Sequence, residues 1–353
     1  MHIQLKILQP DVVNNYFLVR GKDEKSEKFF NQMLPDVSVT GVGVYCILHY
    51  QRRTIWSAGN NVVKCISVSI FHFLALGLMT NMTMGMWDFS GGAVVYCAAI
   101  IGGNLAVNFN LGGYGMLLCC IAVGIGIEVV TGLLYNTLGI PSLVLSIGLC
   151  MVYEALAQSV FGGQAYVTRE FTFIARAPYC FVILIVGIAL MYVIINKTAF
   201  GRNLACIGSN QAVARSTGIK IKKMKFFSYL IGGAFMGAAG AFMLANNSTV
   251  PAPANLSSLT VIFDAIMGVN IGMFLSKYCN IVLGVTIGAF TMKMLSIALV
   301  AVGLSNNMRN VITGIFLLLI LCVSANRGII GNIRKRKADA ELANREYELL
   351  KTK

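Results

Sequence analysis

Acidic side chains are scarce in this chain. Of 353 residues 14 are Asp or Glu, and the long stretch from 37 to 338 holds only Asp88, Glu128, Glu154, Glu170 and Asp264. Charged residues of both signs make up 12%, about half of the roughly 25% usual in a soluble domain. That is too little charge to cover a water-soluble body of this length, which excludes an ordinary cytosolic enzyme. Histidine is confined to His2, His49 and His72, and no HExxH occurs, so a metal hydrolase lacks its ligands. Neither GxSxG nor GxxxxGK[ST] occurs, so the chain carries no nucleophile elbow and no Walker-type nucleotide site. The ten Cys form no CxxC and fall mostly in apolar runs, as at Cys119, Cys120, Cys150, Cys180 and Cys322, where they serve as small hydrophobes. No metal, cofactor or catalytic residue is expected.

What is abundant is apolar sequence. Hydrophobic residues make up 57% and the mean hydropathy is +0.73, which excludes disorder and points to a polytopic membrane protein. The fold class expected is all-α: a bundle of about ten transmembrane spans. Runs bounded by charge or turn residues mark spans at about 61–82, 90–107, 113–135, 141–160, 179–195, 226–246, 280–302 and 308–325. A ninth, 258–275, contains Asp264, Asn270 and small residues, and is expected to face other helices rather than lipid. A tenth, 36–50, is short; without it there are nine spans and an outside N-terminus. The first 35 residues are polar and contain no apolar core of a cleavable signal peptide. No internal repeat or low-complexity stretch is visible.

The net charge of +14 suits a membrane protein whose cytoplasmic loops collect Lys and Arg, and does not call for nucleic acid. Segment 196–225 has seven basic residues and no acidic one; the tail 326–353 has eight basic and four acidic. Four spans separate them, so both lie on the same, cytoplasmic, side, as does Lys277. With ten spans both ends are cytoplasmic; Arg52 and Arg53 then fall outside, against the trend. The domains expected are a cytoplasmic segment 1–35, a membrane domain 36–325 with a cytoplasmic coupling loop at 196–225, and a cytoplasmic tail 326–353. The tail reads as a solvated helix, with Glu341/Arg345 and Arg345/Glu348 pairs and Arg334, Lys335, Arg336 and Lys337 at lipid headgroups.

Carboxyls inside spans are costly and face a cavity or a partner. Glu128 and Glu154 read as neutral or hydrogen-bonded groups between helices, Asp88 as a membrane-edge residue beside Trp87, and Asp264 as the deeper, functional candidate. The Gly-rich patches at Gly91-Gly92, Gly102-Gly103, Gly112-Gly113 and Gly232-Gly233 read as close helix packing. In AFGRNLACIGSNQAVARSTGI (199–219) a short helix is expected, capped by Asn210, running through Arg215 and ended by Gly218. Such a helix across the inner mouth suits docking to another protein, or contact with anionic lipid.

Four segments carry a resemblance. FHFLALGLMTNMTMGMWDFSGG (71–92) is similar to "LALGMTxVIxxGGIDLSVG", with Asp88, Ser90 and Gly92 on its D, S and G. LGIPSLVLSIGLCMVYEAL (138–156) resembles "IPxFIVTLGTMxIxRGL". GRNLACIGSNQAVARSTGIKIKKMKFFSYLIGGAFMGAAGAF (201–242) follows "GRxxYAIGGNxxAARLSGIxVxxxKxxxYxxSGxxAxxAG", and FDAI (263–266) resembles "LDAIAAVVIGG". The chain thus resembles the permease subunits of bacterial ABC importers for simple sugars, of the ribose/xylose/galactoside type, in the branched-chain amino acid/sugar permease superfamily. The resemblance implies a non-enzymatic transport subunit in a bacterial inner membrane. It would pair with a second copy or a related permease, sit on a separate ATPase, and receive solute from an extracytoplasmic binding protein. It assigns coupling to the ATPase to Gly201, Arg202, Gly208, Asn210, Ala212, Arg215, Gly218 and Ile219. Polar candidates for the solute path are Asp88, Ser90, Asn104, Asn108, Asn246, Asn247 and Asp264. Two stretches depart from the family: MGMWD carries Trp87 where Ile is usual, and 267–280 keeps only Gly268 and Gly272 of a Gly-rich segment. Nucleoside permeases share much of the 201–242 pattern. An ion-coupled carrier using Glu128, Glu154 or Asp264, or a membrane scaffold or receptor, are the readings from other classes.

Overall fold

The computed structural model describes residues 61–325, apart from Lys277 and Leu304, all within the unit Ser57–Lys353. The expected span at 36–50, the two ends expected to be cytoplasmic, and Arg52, Arg53 and Lys277 lie outside the described residues. Within them the chain is almost wholly helical: α1 Asn61–Thr83, α2 Gly91–Asn108 with one wider turn at Ala98–Gly102, α3 Gly112–Leu138, α4 Ser142–Ser159, α5 Tyr179–Lys197, α6 Ala199–Ser209, α7 Gln211–Ser216, α8 Ile221–Asn247, α9 Leu259–Leu275, α10 Ile281–Ala301 and α11 Asn306–Ala325. Each of the nine apolar stretches is a helix, because a backbone in hydrocarbon must satisfy its own polar groups. Six described helices are long and apolar enough to cross a membrane: α2, α3, α4, α5, α8 and Ile281–Leu299 of α10; Val68–Thr83 and α9 are shorter apolar helices.

Turn residues set the breaks. Gly139 adopts a left-handed φ of 66° after α3, and Pro141 follows at the threshold of α4, the Gly-then-Pro stop of a helix end. Ser248, at φ 59°, ends α8. Beyond it Thr249–Pro251 pairs antiparallel with Gln164–Tyr166, Val250 opposite Ala165, a two-stranded clasp between the loops that follow α4 and α8.

Helix α8 is the axis of the core. It packs against α3 and α1, and Tyr229, Phe235, Met236 and Phe242 are buried on it. The α3–α8 seam is lined with glycine: a Cβ on Gly124 would strike the Gly233 carbonyl, and one on Gly237 the Cys120 carbonyl. Helices α9 and α10 approach the same way, through Gly268 and Gly272 against Gly288 and Gly284. Without a hydrophobic drive between helices in lipid, backbone proximity supplies dispersion contact that larger residues would prevent. As expected, α9 is turned inward, with Ile262, Ala265 to Gly272 buried. Leu143, Val144, Met151 and Val152 of α4 and Phe181, Val182, Ile185 and Val186 of α5 are exposed and apolar, as lipid-facing positions must be.

Candidate functional site

The segment read as one loop with a short helix is more ordered than that: 199–209 is itself helical, α6, and the turn at Asn210 leads into α7. Asn210 has extended backbone and its Oδ1 accepts from the amides of Ala212 at 2.9 Å and Val213 at 3.3 Å, an N-cap made by side chain alone. At the other end Gly218 takes φ +83°; its amide donates to the Arg215 carbonyl and the Ile219 amide to that of Ala214, both at 3.1 Å. These two bonds form a Schellman closure, which favours glycine at that position.

The α6–α7 corner is fastened to the membrane bundle at its glycines. A side chain on Gly201 would meet the Ile195 backbone at the end of α5, and one on Gly208 the Thr83 carbonyl at the end of α1. Gln211 Nε2 donates to the Met84 carbonyl at 3.3 Å. Leu204, Ile207 and Ala214 are buried, so one face of the corner is held by the core. The opposite face presents Arg202, Ala212, Val213, Arg215 and Ser216, with Val213 56% exposed, followed by exposed Lys220, Lys222 and Lys223; Ile219 is half-buried. Nearby, Lys225 Nζ donates to the Tyr135 hydroxyl at 3.2 Å and Asn136 Nδ2 to the Lys222 carbonyl at 3.1 Å, tying the end of α3 to the start of α8.

The interior carboxyls have separate structural surroundings. Asp88 is 1% exposed, enclosed rather than at an exposed edge. Its Oδ1 accepts from the Ser90 hydroxyl at 2.6 Å and the Ser90 amide at 3.1 Å; its Oδ2 accepts from Asn81 Nδ2 at 3.1 Å. Asn81 Oδ1 in turn accepts from the Ser228 hydroxyl at 2.6 Å, so the start of α2 is tied through α1 to α8. Glu154 performs the equivalent task for α9: Oε2 accepts from the Leu256 amide at 2.8 Å and Oε1 from the Ser258 amide at 2.9 Å. Ser258 abuts Gly92, where any Cβ would hit its carbonyl, so the beginnings of α2 and α9 meet, each held by its own carboxylate. Glu128 is fully buried over Gly233 and neither of its oxygens has a hydrogen-bond partner among the described residues.

The remaining path candidates are dispersed. Asn104 donates to the carbonyls of Ile100 and Gln164, at 2.8 and 2.9 Å, beside the clasp. Asn246 donates to Asn247 Oδ1 at 3.0 Å near the end of α8, and Asn108 is exposed at the end of α2. Asp264 is half-buried on α9 and interacts electrostatically with Lys293 of α10 and Arg309 of α11. Lys293 escaped the sequence reading. Its signal is a single cation within the apolar run of α10, which averaging over the run conceals. Its ammonium lies 4.0 Å from the ring centre of Phe71 on α1.

The comparisons agree with this architecture. The family model described as branched-chain amino acid transport system / permease component matches residues 64–321. The autoinducer 2 import system permease protein LsrC of Yersinia enterocolitica is 28% identical over 199 residues, covering 52% of this chain and 53% of that protein. The fructose import permease protein FruF of Bifidobacterium longum is 26% identical over 213 residues, covering 57% and 60% respectively. The LsrC protein of Klebsiella pneumoniae is 27% identical over 194 residues, covering 52% and 56%. The chain thus spans little more than half the length of these relatives. No solved structure matches it. A match over most of the chain, running from α1 into α11, makes this multi-pass membrane protein a member of the branched-chain amino acid transport system / permease component family.

Proposed function

We propose that the chain is the membrane subunit of an ATP-driven importer for a small polar solute, with a simple sugar as the leading class. It does no covalent chemistry. The observation that carries this reading is the α6–α7 corner: a short helix capped at both ends, fixed to the ends of α1 and α5, with Val213 and Arg215 facing outward. A rigid element of this kind can pass a push from a soluble ATPase into the bundle, because it cannot absorb the displacement by unwinding.

Ten spans with both ends cytoplasmic remain part of the proposal, supported by the basic segment 196–225. The partners proposed are an ABC ATPase on the α7 face, a second permease copy or relative, an extracytoplasmic binding protein and surrounding lipid. ATP binding closes the ATPase pair, α7 moves with it, and the cavity between two permeases rocks from inward- to outward-open. The import of autoinducer 2 by LsrC and of fructose by FruF supports a sugar-like solute; a nucleoside or other small solute is the alternative. An ion-coupled carrier is less favoured, since of its candidate carboxyls Glu154 is occupied in holding the start of α9. The test is ATP-dependent uptake in vesicles containing the full complex. Arg215→Glu or Gly218→Glu should leave ATP hydrolysis running but cut uptake. Uptake that survives both changes intact refutes the coupling role.

A further inference from the structure

Helix α10 packs against α1, α9 and α11, and α9 against α1 and α11, so the Lys293 ammonium of α10 meets the Phe71 ring of α1 and the charge of Asp264 on α9. Lys293 lies roughly 18 Å along α10 at about 1.5 Å per residue, near the middle of a hydrocarbon core about 30 Å thick. Its ammonium rests on the face of Phe71 and makes no hydrogen bond or ion pair among the described residues. Asp264 attracts both it and Arg309. Next to Asp264, Phe263 meets Phe89 edge-on at 5.8 Å, and Phe89 stacks with Trp87 at 6.2 Å. Phe71, Trp87, Phe89, Phe263, Asp264 and Lys293 are all half-buried, neither sealed in the core nor bare to lipid.

A lysine at this depth costs about 3 kcal/mol even on the mildest insertion scale, so such groups face water-filled space and mark solute routes. An ammonium has three donors and no acceptor. An aromatic face steadies its charge but accepts none of those N–H groups in a full hydrogen bond. What completes the site is an oxygen anion whose carbon skeleton lies against the Phe71 ring. We infer that Lys293 is a specificity-determining residue, and that the solute crossing this membrane domain carries an acidic group, a carboxylate or a phosphate, on a small hydroxylated frame. This rests on the importer reading and narrows it from sugars in general to sugar acids or sugar phosphates.

The experiment uses the purified full chain in nanodiscs of phosphatidylcholine, which offers no net anionic headgroup. Its melting temperature is followed as glucose, gluconate and glucose 6-phosphate are titrated. Gluconate or glucose 6-phosphate should raise the melting temperature where glucose does not. Lys293→Met should weaken the anion's apparent affinity roughly tenfold or more, about 1.4 kcal/mol. Lys293→Arg should restore most of it, and Asp264→Asn should tighten it. Repeating the titration with phosphatidylglycerol present separates a solute from a lipid headgroup: a Lys293-dependent rise from the lipid alone, unaffected by solute, overturns the inference. So does an equal shift with glucose, no shift with any probe, or full retention in a Lys293→Met chain that stays monodisperse. Because no ATPase is present, failure here leaves the importer reading intact, and failure to recover an ATPase leaves this binding result standing.

Discussion

The Glu154 carboxylate and the Ser258 amide, 104 residues apart in sequence, stand 2.9 Å apart. With the Leu256 amide on its other oxygen, Glu154 closes the start of α9 from a neighbouring helix. A free helix start exposes amide donors and the positive end of the helix dipole, and a carboxylate answers both. Glu154→Ala should therefore destabilise the chain by about 2–3 kcal/mol, the cost of stranding the buried Ser258 amide and the half-buried Leu256 amide. Thermal unfolding in detergent checks this, and an unchanged melting temperature would show that the pair contributes little.

Glu128 is the opposite case. Its oxygens are buried with no hydrogen-bond partner among the described residues, so removing its ability to ionise should not harm the fold. Glu128→Gln should leave the melting temperature unchanged or higher and leave uptake intact. An ion-coupled carrier that used this carboxyl would lose uptake with the same substitution.

Asn210 caps α7 through its side chain, so Asn210→Ala should cost about 1 kcal/mol locally, with Asn210→Ser or Asn210→Asp close to neutral. The readout is solute-stimulated ATP hydrolysis in the assembled complex, which should fall in the Ala variant and recover in the other two. Equal activity in all three would remove the cap from the coupling account.

Glycines in the membrane divide by what surrounds them. Gly288 faces the Gly268 carbonyl, whereas Gly126 and Gly148 have open space where a Cβ would go. Gly288→Val should push α9 and α10 apart and sharply reduce folded yield. Gly126→Ala and Gly148→Ala should be neutral or stabilising by about 0.5–1 kcal/mol, because alanine is the better helix former. Size-exclusion profiles and melting temperatures of the three variants compare them directly.

The helices were legible because lipid demands long apolar runs, and the breaks between them carry Gly139, Pro141 and Asn210. The cap at Asn210 was readable since donor and acceptor sit within three residues. The Glu154 cap was not, because its partners lie about a hundred residues on and only the packing of α4 against the loop before α9 joins them. Helix α6 was hidden because it is only eleven residues long, holds glycines at Gly201 and Gly208, and lies beside a basic segment. Lys293 was hidden because one charge hardly moves the average of an apolar run, although it is the residue whose neighbours on α1 and α9 give it meaning. Asp264 was visible as a lone carboxyl; that two cations share it was not.

The most direct test of the central claim is to recover the tagged full chain from its native membrane in mild detergent and identify the proteins bound to it. The account predicts an ABC ATPase, retained by the unaltered chain and depleted when Val213 and Arg215 on the outward face of α7 are both replaced by Glu. A folded, abundant chain that brings down no ATPase would contradict it.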